Sequence, residues 1–405
     1  MISFIINIFI IFLMFQNIFF TNLNLPSFFG YWDEIIEILV IIIGITYSVM
    51  KHKSKINIEY FKIYLLIFML IVIGLCGNIC FGYATSIDGI FRDIIALIKF
   101  PIVYLIIKQI KFDKKMKKSL NNIFIIFIKL IIIVILILGI ISLFKDIGLS
   151  QNEIRYGIKP YQFLFGHPTY LVLCCIYLLA FIESTKKIQK HYLIYELMIF
   201  MIIILSMRTK GIVFVTLYIF IKYIGKRFDK FKILYWGGTV GLGFLTAYDK
   251  LKLYSSFSSS PREVLYKGAL LLVQKCFPFG SGFATFASHI SGKYNSLVYS
   301  FIEVPYTWLE SGNEMAVLGD AGFPYYIGQF GLIGTIIFII LIIKIYKLTI
   351  KNIENKMPVI LICLYIIVAL TSESILLNNG LELAFILAYI SSLNKKTDDY
   401  ISKTD

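Results

Sequence analysis

Apolar residues in this chain run in long unbroken blocks separated by short polar segments. A helix needs about 20 apolar residues to cross a bilayer, with a range of roughly 17–25. Twelve blocks approach or meet that length: 2–20, 33–50, 60–80, 91–107, 121–144, 164–183, 192–207, 211–225, 233–248, 323–343, 357–377 and 380–394. The eighth, ninth and twelfth are short. The blocks do not alternate with period two, which removes a β-barrel. What remains able to satisfy its backbone polar groups in lipid is a helical bundle. The expectation is an all-α, polytopic integral membrane bundle of about twelve transmembrane helices, a single domain over 1–405. The first block lacks a basic leader and a small-x-small cleavage site, so it reads as an uncleaved span.

The basic residues then orient the bundle. Loops 51–59, 108–120, 184–191, 226–232, 344–356 and 395–405 hold 23 of the 39 lysines and arginines. All six fall on one side if twelve spans are present. Positive charge stays cytoplasmic, so both termini are expected inside. Segments 21–32, 81–90, 145–163, 208–210, 249–322 and 371–379 are expected outside.

Composition agrees with the pattern. The chain is 59% hydrophobic and only 16% charged, against roughly 25% charged in soluble domains, and its mean hydropathy is +0.82. These values exclude a cytosolic enzyme, a disordered chain and a secreted disulfide scaffold. The net charge of +15 would suit nucleic acid, but the lysines lie between spans, so no nucleic acid is expected. Five of the six cysteines, Cys76, Cys80, Cys174, Cys175 and Cys363, lie in apolar blocks, and only Cys276 does not. None has metal-site spacing, and no metal is expected. Heavy Ile, Lys, Phe and Asn usage suggests an AT-rich bacterial genome.

One loop differs from the rest. Residues 249–322 form a long segment outside the spans, and connections of that length are usually functional. Ser260-Pro261-Arg262-Glu263 predicts a capping box with proline at the first helical position. A helix from about 261 to 275 should follow and stop before Pro278 and Gly280-Ser281-Gly282. Leu265, Ala269, Leu271 and Leu272 would lay it on the membrane or the bundle.

Arginine usage sharpens the chemistry. Against 34 lysines there are five arginines, Arg92, Arg155, Arg208, Arg227 and Arg262. Four of them face outward or sit at the outer boundary, against the positive-inside bias. The planar guanidinium fork binds phosphate in a bidentate way, which lysine cannot do. The set points to an extracytoplasmic anion, most simply the diphosphate of a lipid carrier. The plainer reading pairs each arginine with a nearby acid such as Asp93, Glu153 or Glu263. Arg262 lies in a first helical turn, where the macrodipole disfavours a cation but attracts an anion. Arg208 and Lys210 fill a tight turn between two spans, as anion ligands or as cations snorkelling to lipid headgroups.

The titratable candidates are mixed. His167, in Phe165-Gly166-His167-Pro168, is a base or a helix-start hydrogen bonder. Asp320 is the N-cap of the tenth span or a general base. Glu373 ends the eleventh span, where an ionisable group is a functional candidate by default. Glu196 reads as a buried hydrogen-bonded pair, His289 as solvated, and His52 and His191 as parts of the basic flanks.

These residues carry a resemblance. Arg155-Tyr156-Gly157 through Gly166-His167-Pro168, Ser206 through Gly211, Pro261-Arg262 through Pro278-Phe279-Gly280-Ser281-Gly282-Phe283, and Asp320-Ala321-Gly322 through Gln329-Phe330-Gly331-Leu332-Ile333-Gly334 resemble, in order and spacing, motifs of the bacterial O-antigen ligase/polymerase superfamily. The match covers about residues 150–345, while the N-terminal third is similar only in hydropathy. Ligases of that family resemble His-Asn where this chain has Asp320-Ala321, which favours the polymerase branch.

The resemblance implies a GT-C-like membrane glycosyltransferase in the bacterial cytoplasmic membrane. It would join undecaprenyl-diphosphate-linked repeat units into surface polysaccharide, without metal or cofactor. Its partners would be the lipid-linked glycan, the bilayer, and a chain-length regulator and flippase of the same pathway. Arg155, Arg208, Lys210 and Arg262 would bind the diphosphate, and Asp320, His167 or Glu373 would take the hydroxyl proton. The alternatives are a lipid-linked oligosaccharide flippase, a ligase and a non-enzymatic assembly partner. Against the flippase, the two halves of the chain show no internal similarity.

Overall fold

The computed structural model describes residues 2–23, 32–50, 58–109, 114–155, 157–186, 189, 191–224, 260–302, 304–309 and 315–395. Among these residues there is no strand, only isolated bridges such as Ser150 with Tyr161 and Arg155 with Ile158. The longer helices are α1 (Ile2–Asn22), α2 (Trp32–Met50), α3 (Ile58–Phe81), α4 (Ile87–Gln109), α5 (Lys114–Phe144), α6 (Pro168–Ser184), α7 (Tyr192–Leu205), α8 (Thr209–Ile219, continued by a π-turn over Phe220–Ile224), α9 (Pro261–Lys275), α10 (Gly322–Ile350), α11 (Met357–Leu370) and α12 (Gly380–Leu393).

Helices occupy eleven of the twelve expected blocks; the ninth, 233–248, lies outside the described residues. Among the described residues, three helices are long and apolar enough to cross a membrane: α3, Phe124–Phe144 of α5, and α10. The helices of α6, α7, α11 and α12 are shorter apolar elements. Block 164–183 starts late because Gly166 turns the chain at φ +68° before Pro168 opens α6. Block 357–377 divides because α11 stops at Leu370, and a turn leads to the short helix Ile375–Asn378.

Burial shows what each helix faces. A helix apolar on every side belongs in the middle, and α6 is buried without interruption from Leu171 to Glu183. It packs on α7, α11 and α12, while α4 packs on α12 and on α2. The periphery is apolar. Ile35, Ile38, Leu39 and Ile42 of α2, and Leu332, Ile336, Ile339 and Ile343 of α10, are all exposed. In water such stripes would be interaction or aggregation surfaces; they are compatible with a membrane protein.

The long loop is not wholly peripheral. Residues Gly280–Ser288 are buried from end to end. The segment enters between α3 and α10, and the glycine-rich motifs make that possible. Ser281 and Gly282 donate main-chain N–H groups to the carbonyls of Gly328 and Gln329 at 3.0 and 2.9 Å. Those carbonyls lie just before the break in α10 at Gly331, whose φ of +61° and ψ of −162° suit glycine alone. A Cβ on Gly331 would meet the Gly280 nitrogen and the Pro278 oxygen at 2.6 Å. On α3, a Cβ on Gly77 would meet the Gly280 oxygen at 2.7 Å. The next residue, Asn78, pairs with Phe283 like a strand neighbour. Its amide donates to the Phe283 carbonyl at 2.9 Å and accepts the Phe283 N–H at 2.8 Å. Asp93 of α4 accepts the Ala284 N–H at 2.7 Å and the Tyr325 hydroxyl at 3.2 Å. The Pro-x-Gly-x-Gly and Gly-x-x-Gly runs therefore hold this part of the loop to the bundle, and α9, earlier in the same loop, packs on α10.

The opposite end of the bundle carries its own polar lock. Lys222 bridges Glu183 at 2.9 Å and Glu196 at 2.6 Å, tying α6, α7 and the π-turn together. Glu196 is thus a buried pair, as its position in a span predicted. His289 is exposed.

Candidate functional site

The helix ends around α6 assemble the chemistry. α7 ends because the Ser206 hydroxyl turns back onto the Ile203 carbonyl at 2.5 Å. Met207 takes a left-handed φ of +50°, and α8 begins at Thr209. Arg208 lies at that corner. The segment 150–161 folds across it, anchored by the Tyr161 N–H on the Leu205 carbonyl at 3.0 Å. This brings Gln151 to Arg208, whose Nη2 donates to Gln151 Oε1 at 2.9 Å and meets His167 Nε2 at 2.7 Å. The Arg208 Nε is buried and has no hydrogen-bond partner among the described residues. Buried N–H groups are almost always paired, so this donor is set for an acceptor.

His167 is the N-cap of α6, with Nδ1 facing the Thr169 N–H at 3.3 Å. Both ring nitrogens therefore face donors, and a doubly protonated ring would oppose both. Burial, then Arg208, Lys210 and Arg155, push its pKa down to about 4. The ring is neutral at neutral pH and is a weak base.

Asp320 does not cap α10. The N-cap is Ala321, and it supplies no side-chain cap bond. Gly319, which precedes Asp320, accepts the Ser374 N–H at 3.0 Å. This contact draws the turn after α11 against the start of α10. The Asp320 main-chain carbonyl accepts Arg262 Nε at 3.2 Å. Its carboxyl is raised above the ordinary value by burial and by Glu373, against the pull of Arg262, Lys210 and Arg208.

Glu373 follows α11 and pairs with Lys210 at 2.5 Å, the two side chains 18% and 10% exposed. Arg155 pairs with Glu153 at 2.7 Å. Arg208 is lowered to about 10 by burial and then by Arg155 and Arg262, while Glu153 and Asp320 oppose the shift. It stays charged at neutral pH.

The three arginines, Lys210, His167, Asp320 and Glu373 thus lie close enough at one end of the bundle to act on one another's charge. They arrive from five separate stretches of chain. Not every expected contact forms. Ser260 stands at the N-cap of α9, but its hydroxyl makes no cap bond, and Glu263 pairs with Lys267 instead of closing a capping box. Arg92 pairs with Asp88 at 2.8 Å rather than with Asp93. Sequence reasoning missed Gln151, a polar loop residue with no motif around it, which becomes an Arg208 ligand only when the 150–161 segment folds over α7. No family model, no curated protein and no solved structure matches this chain.

Proposed function

We propose that the chain is a polytopic bacterial membrane glycosyltransferase of about twelve spans. It joins polyprenyl-diphosphate-linked oligosaccharide repeat units on the outer face of the cytoplasmic membrane, where the arginine end of the bundle lies. The observation that carries this reading is the buried Arg208 Nε with no acceptor, at the centre of a group of cations gathered from distant stretches of chain. A guanidinium fixed by Gln151 and His167, with one donor unsatisfied, suits a phosphate oxygen.

In the reaction, a sugar hydroxyl of one lipid-linked unit attacks the anomeric carbon of another glycan. The bond from that carbon to the diphosphate breaks, and polyprenyl diphosphate leaves. Charge grows on the leaving diphosphate, and donors already oriented there stabilise it with little reorganisation. Arg208, Arg262 and Arg155 supply that field. Asp320, partly buried and not used as a cap, takes the hydroxyl proton. His167 serves as a neutral support for Arg208, and Glu373 as the counter-charge of Lys210.

The test is Asp320→Asn in the intact chain. Expression should stay normal, elongation should stop, and single repeat units should accumulate on the outer leaflet. Near-normal polymer would remove Asp320 from the mechanism, and accumulation on the inner leaflet would favour a flippase.

A further inference from the structure

A second ionisable group lies inside the bundle, apart from the arginine end. α2 carries Asp33, Glu34 and Glu37, and spacings of three and four residues stack them along one helix face. Lys99 of α4 comes up against this face. It meets Asp33 at 2.5 Å and Glu34 at 3.9 Å, and is itself 4% exposed. The side chains of Asp33 and Glu34 are 19% and 38% exposed. Glu37, one turn deeper, is 1% exposed, and neither of its oxygens has a hydrogen-bond partner among the described residues.

Glu382 of α12 provides the contrast. It is equally buried, but Gln16 donates to one of its oxygens and Asn379 to the other, each at 2.5 Å. The charged groups acting on Glu37 are Lys99 of α4 and its own neighbours Asp33 and Glu34. Asp33 also acts on Glu382 of α12. Three carboxylates thus share one ammonium, and Asp33 already holds it. An ionised carboxylate cut off from water, donors and a counter-charge of its own is costly, and a neutral acid is not.

We propose that Asp33, Glu34, Glu37 and Lys99 form a proton-binding site. Glu37 holds the proton in the resting protein, and Asp33 and Glu34 connect it to water. The ligand is a proton rather than a metal ion: among the described residues no group of three or more acidic, histidine or cysteine side chains is arranged to hold one. The step is a transfer of one proton from water, through the exposed carboxylates, to a Glu37 oxygen, with no change of redox state. It is independent of the glycosyltransferase reading.

The test is infrared difference spectroscopy of the full-length protein at neutral pH, wild type minus Glu37→Gln. The expected result is loss of a protonated carboxyl band with the carboxylate bands unchanged. Glu37→Gln and Glu37→Leu should both melt within about 2 °C of wild type, because neither removes a hydrogen bond or a charge. Three results would overturn the proposal. The difference could show a lost carboxylate band. The two variants could fail to fold, meaning that a charge at Glu37 is required. Or the protonated band could vanish when sodium replaces potassium, meaning that a cation occupies the site.

Discussion

Arg208→Lys separates a fixed fork from a mere positive charge. Lysine keeps the charge but has no Nε–H at the position where the Arg208 Nε is buried without an acceptor. Its single ammonium also cannot reproduce the reach of Nη2 to both Gln151 at 2.9 Å and His167 at 2.7 Å. The fold loses some stability as well, because two hydrogen bonds from a charged donor contribute about 3 kcal/mol or more in total, so activity is compared at equal amounts of folded protein. Removing one oriented donor from a developing oxyanion costs about 2.7–4 kcal/mol, roughly 10²–10³ in rate. The assay is polymer length against time, with lipid-linked repeat units supplied to membranes carrying equal amounts of each protein. Gln151→Ala should show a smaller loss, because Arg208 then keeps its charge and Nε but loses one of its two supports. The reasoning fails if Arg208→Lys elongates within about threefold of wild type, a difference of less than ~1 kcal/mol.

Other consequences follow from the same contacts. With the His167 pKa at about 4, the unfolded chain binds the extra proton between that value and the ordinary histidine value of roughly 6.5. Stability present above this window is therefore lost as pH falls through it, and melting curves of His167→Gln should be flatter over the same range. Asn78→Ala removes both partners of the Phe283 main chain and should destabilise by about 2–4 kcal/mol; an unchanged denaturation midpoint would deny the loop its anchor. Lys222→Met leaves Glu183 and Glu196 facing each other without their shared cation and should cost about 3–5 kcal/mol. Adding Glu183→Gln and Glu196→Gln should restore most of it.

The helices were legible because an apolar block in lipid has few other options, and the alternation of basic loops adds an independent check. Gathering arginines at one end was legible for the same reason. If helices reverse at each turn, then residues 155, 208, 262, 320 and 373 share an end by parity alone. Helix lengths were less so, because hydropathy averages over the polar turn at Ser206–Arg208 and over the break after Leu370. Three features could not be read from single positions. Asp320 preceded a helix and looked like a cap, but Ala321 holds that position. The glycine motifs stood only as a helix stop and as part of the resemblance, yet their role arises from contacts between residues about 50 and 200 apart, Gly280 with Gly331 and Phe283 with Asn78. Glu37 drew no notice because nothing in its local sequence separates it from Glu34, which sits in water's reach.

The central claim is that the chain itself joins repeat units, and reconstitution tests it most directly. The purified protein in liposomes, given only lipid-linked repeat units, should produce a ladder of longer glycans. One polyprenyl diphosphate should be released per bond formed, with no nucleotide sugar present and no ladder from Asp320→Asn. Transfer of intact single units between leaflets, with no growth in glycan length, would contradict the account.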